Sequence, residues 1–360
     1  MRVLMVVAAI VFTLLNGANI AFATVSVENQ ARKLTLQEAI NRALLVSDSL
    51  RKAEVDLEDA DSKRKSVTIL PQYIYEWSEV GEQSIYAKES LDFNYQRALN
   101  TYYSKRDAVA LEAIQRYYDV VKCQRRVDLK ELTVTRAKQE LMKSQALYRC
   151  GMLTRSGLME AEAKVSAAEG EVVSARGELD KACLSLNLLL KLPVGEQIDL
   201  VDAPTYAPIQ GDYKFYEGRA LYDNPLLKIA SEATKYKDSV QNMTPSPGTG
   251  TVINSSDVEK ARLDNEIARN ETLQLVRSLY NSILALESSY EAMVRDLDVA
   301  RETLRTTKMR YQVGMVTSQA VLEAEVYVAS AEQGLFELAT QHECLKLALE
   351  KPWAYTPTPK

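Results

Sequence analysis

Turn-forming residues are scarce in this chain: 13 Gly and 10 Pro among 360 positions, about half the usual share. With so few turns, the elements must be long. That argues against a β-sandwich and a doubly wound α/β fold, both of which reverse direction every dozen residues or so. A single histidine removes most His-based catalysis and the common metal triads. A formal charge of −5 and a pI near 5.4 argue against a duplex nucleic-acid partner, which wants a basic face. Four cysteines, Cys123, Cys150, Cys183 and Cys344, are too few in a chain this long for a disulfide scaffold. Past the N-terminus no apolar run approaches the roughly 18 residues of a transmembrane helix. Hydrophobic residues at 46% and charged residues at 26% exclude global disorder.

What the chain does have begins at its start. Arg2 precedes an apolar run from Val3 to Leu15, and Ala21-Phe22-Ala23 places small residues at a cleavage site. Residues 1–23 read as a secretory signal peptide; the alternative is an uncleaved N-terminal anchor. Export to the cell envelope follows, without helical membrane spans.

The strongest signal is an internal repeat. Tyr148-Arg149-Cys150-Gly151-Met152-Leu153-Thr154 recurs 163 positions later as Tyr311-Gln312-Val313-Gly314-Met315-Val316-Thr317. The match runs on without a gap: Glu160-Ala161-Glu162 falls on Glu323-Ala324-Glu325, and Val165, Ala168 and Glu169 on Val328, Ala331 and Glu332. A shared coiled-coil pattern would match apolar positions, not the Gly-Met-x-Thr turn as well. The chain is a tandem duplication.

After each turn, apolar residues step by three and four. The first copy runs from Leu158 through Ala161, Val165, Ala168, Val172 and Ala175 to Leu186 and Leu189. The second runs from Val321 through Ala324, Val328 and Ala331 to His342, Leu345 and Leu349. These are heptad seams, and alternating Ala lets the partner helix approach closely. Each repeat is thus a long helix, near 92–149 or 257–312, then a tight turn at Gly, then a returning helix. Thr35 and Glu38 form a capping box that opens a shorter preceding helix. The fold class is mainly α: two tandem repeats of long antiparallel coiled-coil hairpins, with at most one short β-hairpin per chain. The boundaries are 34–191 for the first repeat, 192–213 for a linker rich in Pro and Gly, 214–351 for the second repeat and 352–360 for a C-terminal tail. Two such hairpins cannot bury every apolar stripe alone, so self-association is expected.

Leu34-Thr35-Leu36-Gln37-Glu38-Ala39-Ile40, with the two turn motifs at 148–163 and 310–325, resembles the TolC family of outer-membrane efflux proteins. The resemblance covers nearly the whole mature chain. It implies a homotrimer whose long helices form a hollow α-barrel across the periplasm, and a passive conduit rather than an enzyme. Partners would be a periplasmic adaptor and an inner-membrane pump, with outer-membrane contact and no nucleic acid. It further implies that the tips, Gly151-Met152-Leu153 and Gly314-Met315-Val316, dock on the adaptor. Gly permits the left-handed turn, and an exposed apolar neighbour offers a contact. The alternative is a hairpin loop with a buried Met.

One stretch departs from that family's pattern. A membrane strand needs roughly 9–11 residues, and each family repeat supplies two. In the second copy only about 242–256 is available, with Pro245, Pro247, Gly248 and Gly250. In the first copy, Tyr73, Tyr75 and Trp77 alternate on one face, and Phe93 and Tyr95 suit a returning strand. One aromatic membrane hairpin per chain is therefore expected, or else an aromatic loop packed on the helices. A structural protein of the envelope that keeps the hairpins but forms no pore is the alternative function.

No catalytic, cofactor or metal site is read from the chain. His342 occupies a seam position and reads as a packing or register residue. Cys123 and Cys183 lie symmetrically about the first turn, so a disulfide across the hairpin stands beside the plainer reading of small buried thiols.

Overall fold

The structure is a computed structural model that describes residues 32–67, 79–193, 195, 196, 198–242 and 253–355. Residues 1–23, Tyr73, Tyr75 and Trp77 lie outside these. Strand β1 (Arg32–Leu34) leads into α1 (Leu36–Val46) and α2 (Asp48–Val67). Helix α3 (Glu79–Arg149) then turns back into α4 (Arg155–Leu189). After β2 (Ile198–Leu200) the plan repeats as α5 (Tyr213–Asp223), α6 (Pro225–Asn242), α7 (Ser255–Gln312) and α8 (Ser318–Glu350), closed by a 3-10 turn at Pro352–Ala354.

Local chemistry sets the helix starts. The Thr35 hydroxyl accepts from the Glu38 amide, and the Glu38 carboxylate accepts from the Thr35 amide, which completes the capping box at α1. Asp212 caps α5 through the Phe215 amide. Thr154 and Thr317 stand at the starts of the two returning helices. The Thr154 hydroxyl accepts from the Gly157 amide, whereas at Thr317 it is the backbone carbonyl that takes the Ala320 amide; either way an amide of the first turn gains a partner.

Two apolar clusters hold the middle of the molecule. In the first, Ala39 and Ala43 of α1 pack on Val109, Ala113, Tyr117 and Val120 of α3 and on Leu186 and Leu190 at the end of α4. In the second, Tyr216 and Ala220 of α5 pack on Val276, Leu279 and Ile283 of α7, with Ala348, Leu349 and Ala354. Ala39 and Tyr216, and Ala43 and Ala220, occupy matching positions in the two copies. Toward the turns the core thins to a seam, where Ala161, Val165, Ala168, Val172 and Ala175 of α4 are buried against α3.

The linker is more ordered than its Pro and Gly content suggests. β2 pairs in parallel with β1, Arg32 opposite Ile198. The buried Tyr117 hydroxyl donates to the Leu34 carbonyl and accepts from the Asp202 amide, both at 3.0 Å. The Asp202 carboxylate takes the Leu36 amide at 2.7 Å. His342 is 1% exposed; its Nε2 lies 3.0 Å from Glu287 Oε1, which also accepts from the Ile209 amide at 2.7 Å. Tyr206, stacked on Tyr290 with centroids 3.6 Å apart, lies with its ring centre 4.9 Å from that of the imidazole. The lone histidine therefore sets register between α7, α8 and the linker. The C-terminal residues are anchored too, since Lys351 Nζ and Trp353 Nε1 both reach the buried carboxylate of Asp107.

One expectation is corrected, and of the two readings of the cysteines the plainer one holds. Phe93 and Tyr95 lie on helix α3, not on a returning strand. Residues two apart on a helix point roughly 200° apart, so one aromatic can face each neighbour. Phe93 stacks on Tyr236 of α6 at 5.1 Å, and Tyr95 lies 3.9 Å beneath the Arg64 guanidinium of α2. The alternation belongs to a helix covered on both sides. The four cysteines are free thiols. Burial raises the pKa of Cys123 and Cys183 and pushes Cys344 up to about 12, which suits small core residues.

Replacing Tyr117 by Phe leaves the Asp202 amide without its partner and the Leu34 carbonyl with only the Val201 amide, at 3.4 Å. The variant should lose about 1–3 kcal/mol of stability, read as a lower midpoint in urea denaturation; an unchanged midpoint would show that the hydroxyl does not tie the linker down.

Candidate functional site: the two hairpin tips

Both long helices end in the same hydrogen-bond pattern. Gly151 N–H donates to the Tyr148 carbonyl at 3.0 Å and Met152 N–H to the Leu147 carbonyl at 2.9 Å. In the second copy, Gly314 donates to Tyr311 at 3.0 Å and Met315 to Arg310 at 2.8 Å. This is the Schellman closure, in which the residue after the cap takes a left-handed conformation. The glycines have φ of +72° and +75°, where a Cβ would strain the backbone.

The closure leaves Met152 70% exposed and Met315 77% exposed. The buried-Met alternative does not describe either tip. Leu153 and Val316 are half-buried. Leu153 lies along the first turn of α4, where a Cβ on Gly157 would sit 2.8 Å from its Cδ1. The matching pair in the second copy is Val316 with Ala320, so a smaller apolar residue goes with a larger neighbour. The two Tyr residues just before the glycines, Tyr148 and Tyr311, are also exposed.

The tips stand side by side at one end of the molecule. Lys143 Nζ of α3 reaches Gln319 Oε1 of α8 at 3.4 Å, and Arg136 pairs with Glu323 at 3.7 Å. Farther from the turns, Arg126 of α3 donates to Glu178 of α4 and Glu337 of α8, each at 3.0 Å. Gln333 donates to the same Glu337 oxygen at 2.9 Å. Burial opposes ionisation of Glu337. The hydrogen bonds from Gln333 and Arg126 and the charges of Arg126 and Lys122 outweigh it, and the carboxyl titrates below its ordinary value.

Charge at the tips themselves escaped the sequence reading. Between Glu140 and Glu160, and again between Glu302 and Glu323, there is no acidic residue. Arg149, Arg155 and Arg310 are exposed and take part in no ion pair among the described residues. The uninterrupted runs without Asp or Glu were legible in the sequence. Which cations lacked partners was not.

The chain has the helical fold of solved outer-membrane channels. It matches the outer-membrane channel OprN at a TM-score of 0.64 with 16% identity, covering 89% of this chain and 91% of that one. For the outer membrane protein VceC from Vibrio cholerae the score is 0.58 at 14% identity, over 87% and 94%. For the CmeC outer membrane channel of Campylobacter jejuni it is 0.60 at 12%, over 92% and 87%. In sequence, residues 253–351 match the model of the outer membrane efflux protein family, a span that holds α7, the second tip and α8. No curated protein matches significantly. Among the described residues no helix is long and apolar enough to cross a membrane.

Glu337 supplies a pH signature for the contact between hairpins. A carboxylate with a depressed native pKa stabilises the fold above its unfolded value, near 4.5, and that contribution is lost as pH falls through the native value. The stability gap between wild type and Glu337→Gln should be largest near neutral pH and vanish in acid. A gap independent of pH in denaturation measurements would refute the assignment.

Proposed function

We propose that the chain is the exported duct component of an efflux assembly, a passive conduit that works as a homotrimer. Its tips, Gly151-Met152-Leu153 and Gly314-Met315-Val316, dock on a periplasmic adaptor that links it to an inner-membrane pump. The observation that carries this reading is the repeated tip: two hairpins closed by the same Schellman turn, each presenting an exposed Met at one shared end. The fold shared with solved outer-membrane channels and the family match over 253–351 support it. An outer-membrane or periplasmic location follows from the same comparison, together with the apolar leader at 1–23. The work of such a protein is to hold a path open; the residues placed here serve packing and docking.

A second reading rests on two lengths. α2 and α3 are separated by 68–78, which is 11 residues, and α6 and α7 by 243–254, which is 12. A membrane hairpin needs two strands of roughly 9–11 residues each, so neither connection is long enough for one. These lengths favour the same oligomer as a barrel-less envelope protein that keeps its docking tips and forms no membrane pore.

Purified mature chain separates the two. A trimeric native mass with conductance after liposome reconstitution is expected for the duct. A trimer that gives no conductance and is recovered with soluble envelope proteins would select the barrel-less reading, and a monomer would overturn both.

A further inference from the structure

We propose that the paired tips recognise a protein surface with an apolar centre ringed by carboxylates, and that the first tip is gripped through Arg149 and Arg155. This rests on the docking reading above and names the chemistry its partner must present. Along the arms, cations are matched from within: Lys138 with Glu169, Lys164 with Glu140, Arg301 with Glu332, and Lys308 with Glu325, at 2.8–3.2 Å. Beyond the last of these pairs the matching stops. Arg149 and Arg155 flank the exposed Met152 in sequence and Arg310 precedes the exposed Met315, with no acidic residue between Glu140 and Glu160 or between Glu302 and Glu323.

Helix physics makes the placement informative. Arg149 and Arg310 lie in the last turns of α3 and α7, where a cation is favoured by the helix dipole. Arg155 is the first residue of α4, where a cation is disfavoured and Asp or Glu would stabilise. Neither returning helix has an acidic residue in its first turn. Local stability would place carboxylates there, so a breach of the rule marks a functional constraint. The missing negative charge is supplied by the partner.

The apolar part fits the same conclusion. Five of the seven methionines after residue 23, namely Met142, Met152, Met159, Met309 and Met315, lie within ten positions of a tip glycine, and all are exposed. Met is flexible and polarisable, and it recurs at surfaces that adapt to another protein. An anionic membrane also attracts cations beside apolar groups, but it reads net charge, not position. The two tips share one backbone and differ in where the charges sit. Arg149 and Arg155 correspond to Gln312 and Ser318, whereas Arg310 corresponds to Leu147. A protein with distinct subsites for the two tips reads such a difference.

The test is photo-cross-linking in the source cell, with p-benzoylphenylalanine in place of exposed Met159 in the full-length chain. The expected adduct is a peptide bearing Asp or Glu beside apolar residues. Its yield should fall about tenfold or more in R149E/R155E, since like charges brought together in a contact repel, and survive in R149K/R155K. Unchanged helicity by circular dichroism confirms that the reversed variant folds. If R149E/R155E cross-links like wild type while Gly151→Trp with Gly314→Trp does not, docking stands and the charge proposal is overturned. An adduct peptide without Asp or Glu also overturns it. No protein adduct from the wild-type tip refutes the docking reading itself. Flotation of the purified chain with phosphatidylglycerol vesicles, lost in R149E/R155E, would overturn the proposal in favour of a lipid surface.

Discussion

A helix of 71 residues, about 105 Å long, must find an apolar partner along nearly its whole length, and no single neighbour here is long enough to provide one. Helix α3 meets that demand with a succession of neighbours. α2 and α6 flank its first part, α1 and the C-terminal turn its middle, and α4 with α8 the stretch that leads to the tip. Each contact uses a different chemistry. Near its start, aromatic rings face outward in two directions. In the middle, buried Tyr117 and Asp107 tie down the linker and the chain end. Beyond them, small residues on the returning helix allow close approach. The long helix is held because the rest of the chain is laid against it in sequence.

This arrangement explains what could be read from the amino acids and what could not. Short-range features were legible. The Thr35–Glu38 box is a four-residue event, and a glycine in a duplicated turn declares its left-handed conformation by recurring. The seams were legible because heptad spacing is set by the helix itself. Contacts between distant segments left no such trace. The parallel pairing of Arg32–Leu34 with Ile198–Leu200 joins two three-residue strands, too short for periodicity to mark and separated by the whole first repeat. Phe93 and Tyr95 misled for a related reason. Apolar residues two apart suit a strand with one buried face, and equally a helix squeezed between two neighbours. Only the positions of α2 and α6 decide between them. The tip arginines illustrate a third limit, because a charge run cannot show which members are paired.

The duplication separates what each part requires. From Tyr148 to Glu169 the two copies run in register without a gap, since the closure, the cap and the small-residue seam all depend on fixed spacing. At the other end the register is lost, and α3 is 71 residues where α7 is 58. The additional helix in the first copy falls on the side away from the tip, so it lengthens the shaft without disturbing the turn. Spacing has been held where two helices must reverse and meet again, and relaxed where a longer helix only gains surface for its neighbours.

The same comparison bears on membrane insertion. If the copies differed only by loss of strands in one of them, the other would retain a connection long enough for a hairpin. Both connections are short, at 11 and 12 residues, while the long helices differ by more than either connection's length. The first copy's greater length therefore lies in helix, where Phe93 and Tyr95 already have partners. On the barrel-less reading, an assembly of this chain would take its order from the mid-level clusters and the seams. The tips are insulated from that question. They lie at the far end of the arms, their geometry is fixed by backbone hydrogen bonds within seven residues, and their exposed charges and methionines stay available whichever way the other end meets the envelope.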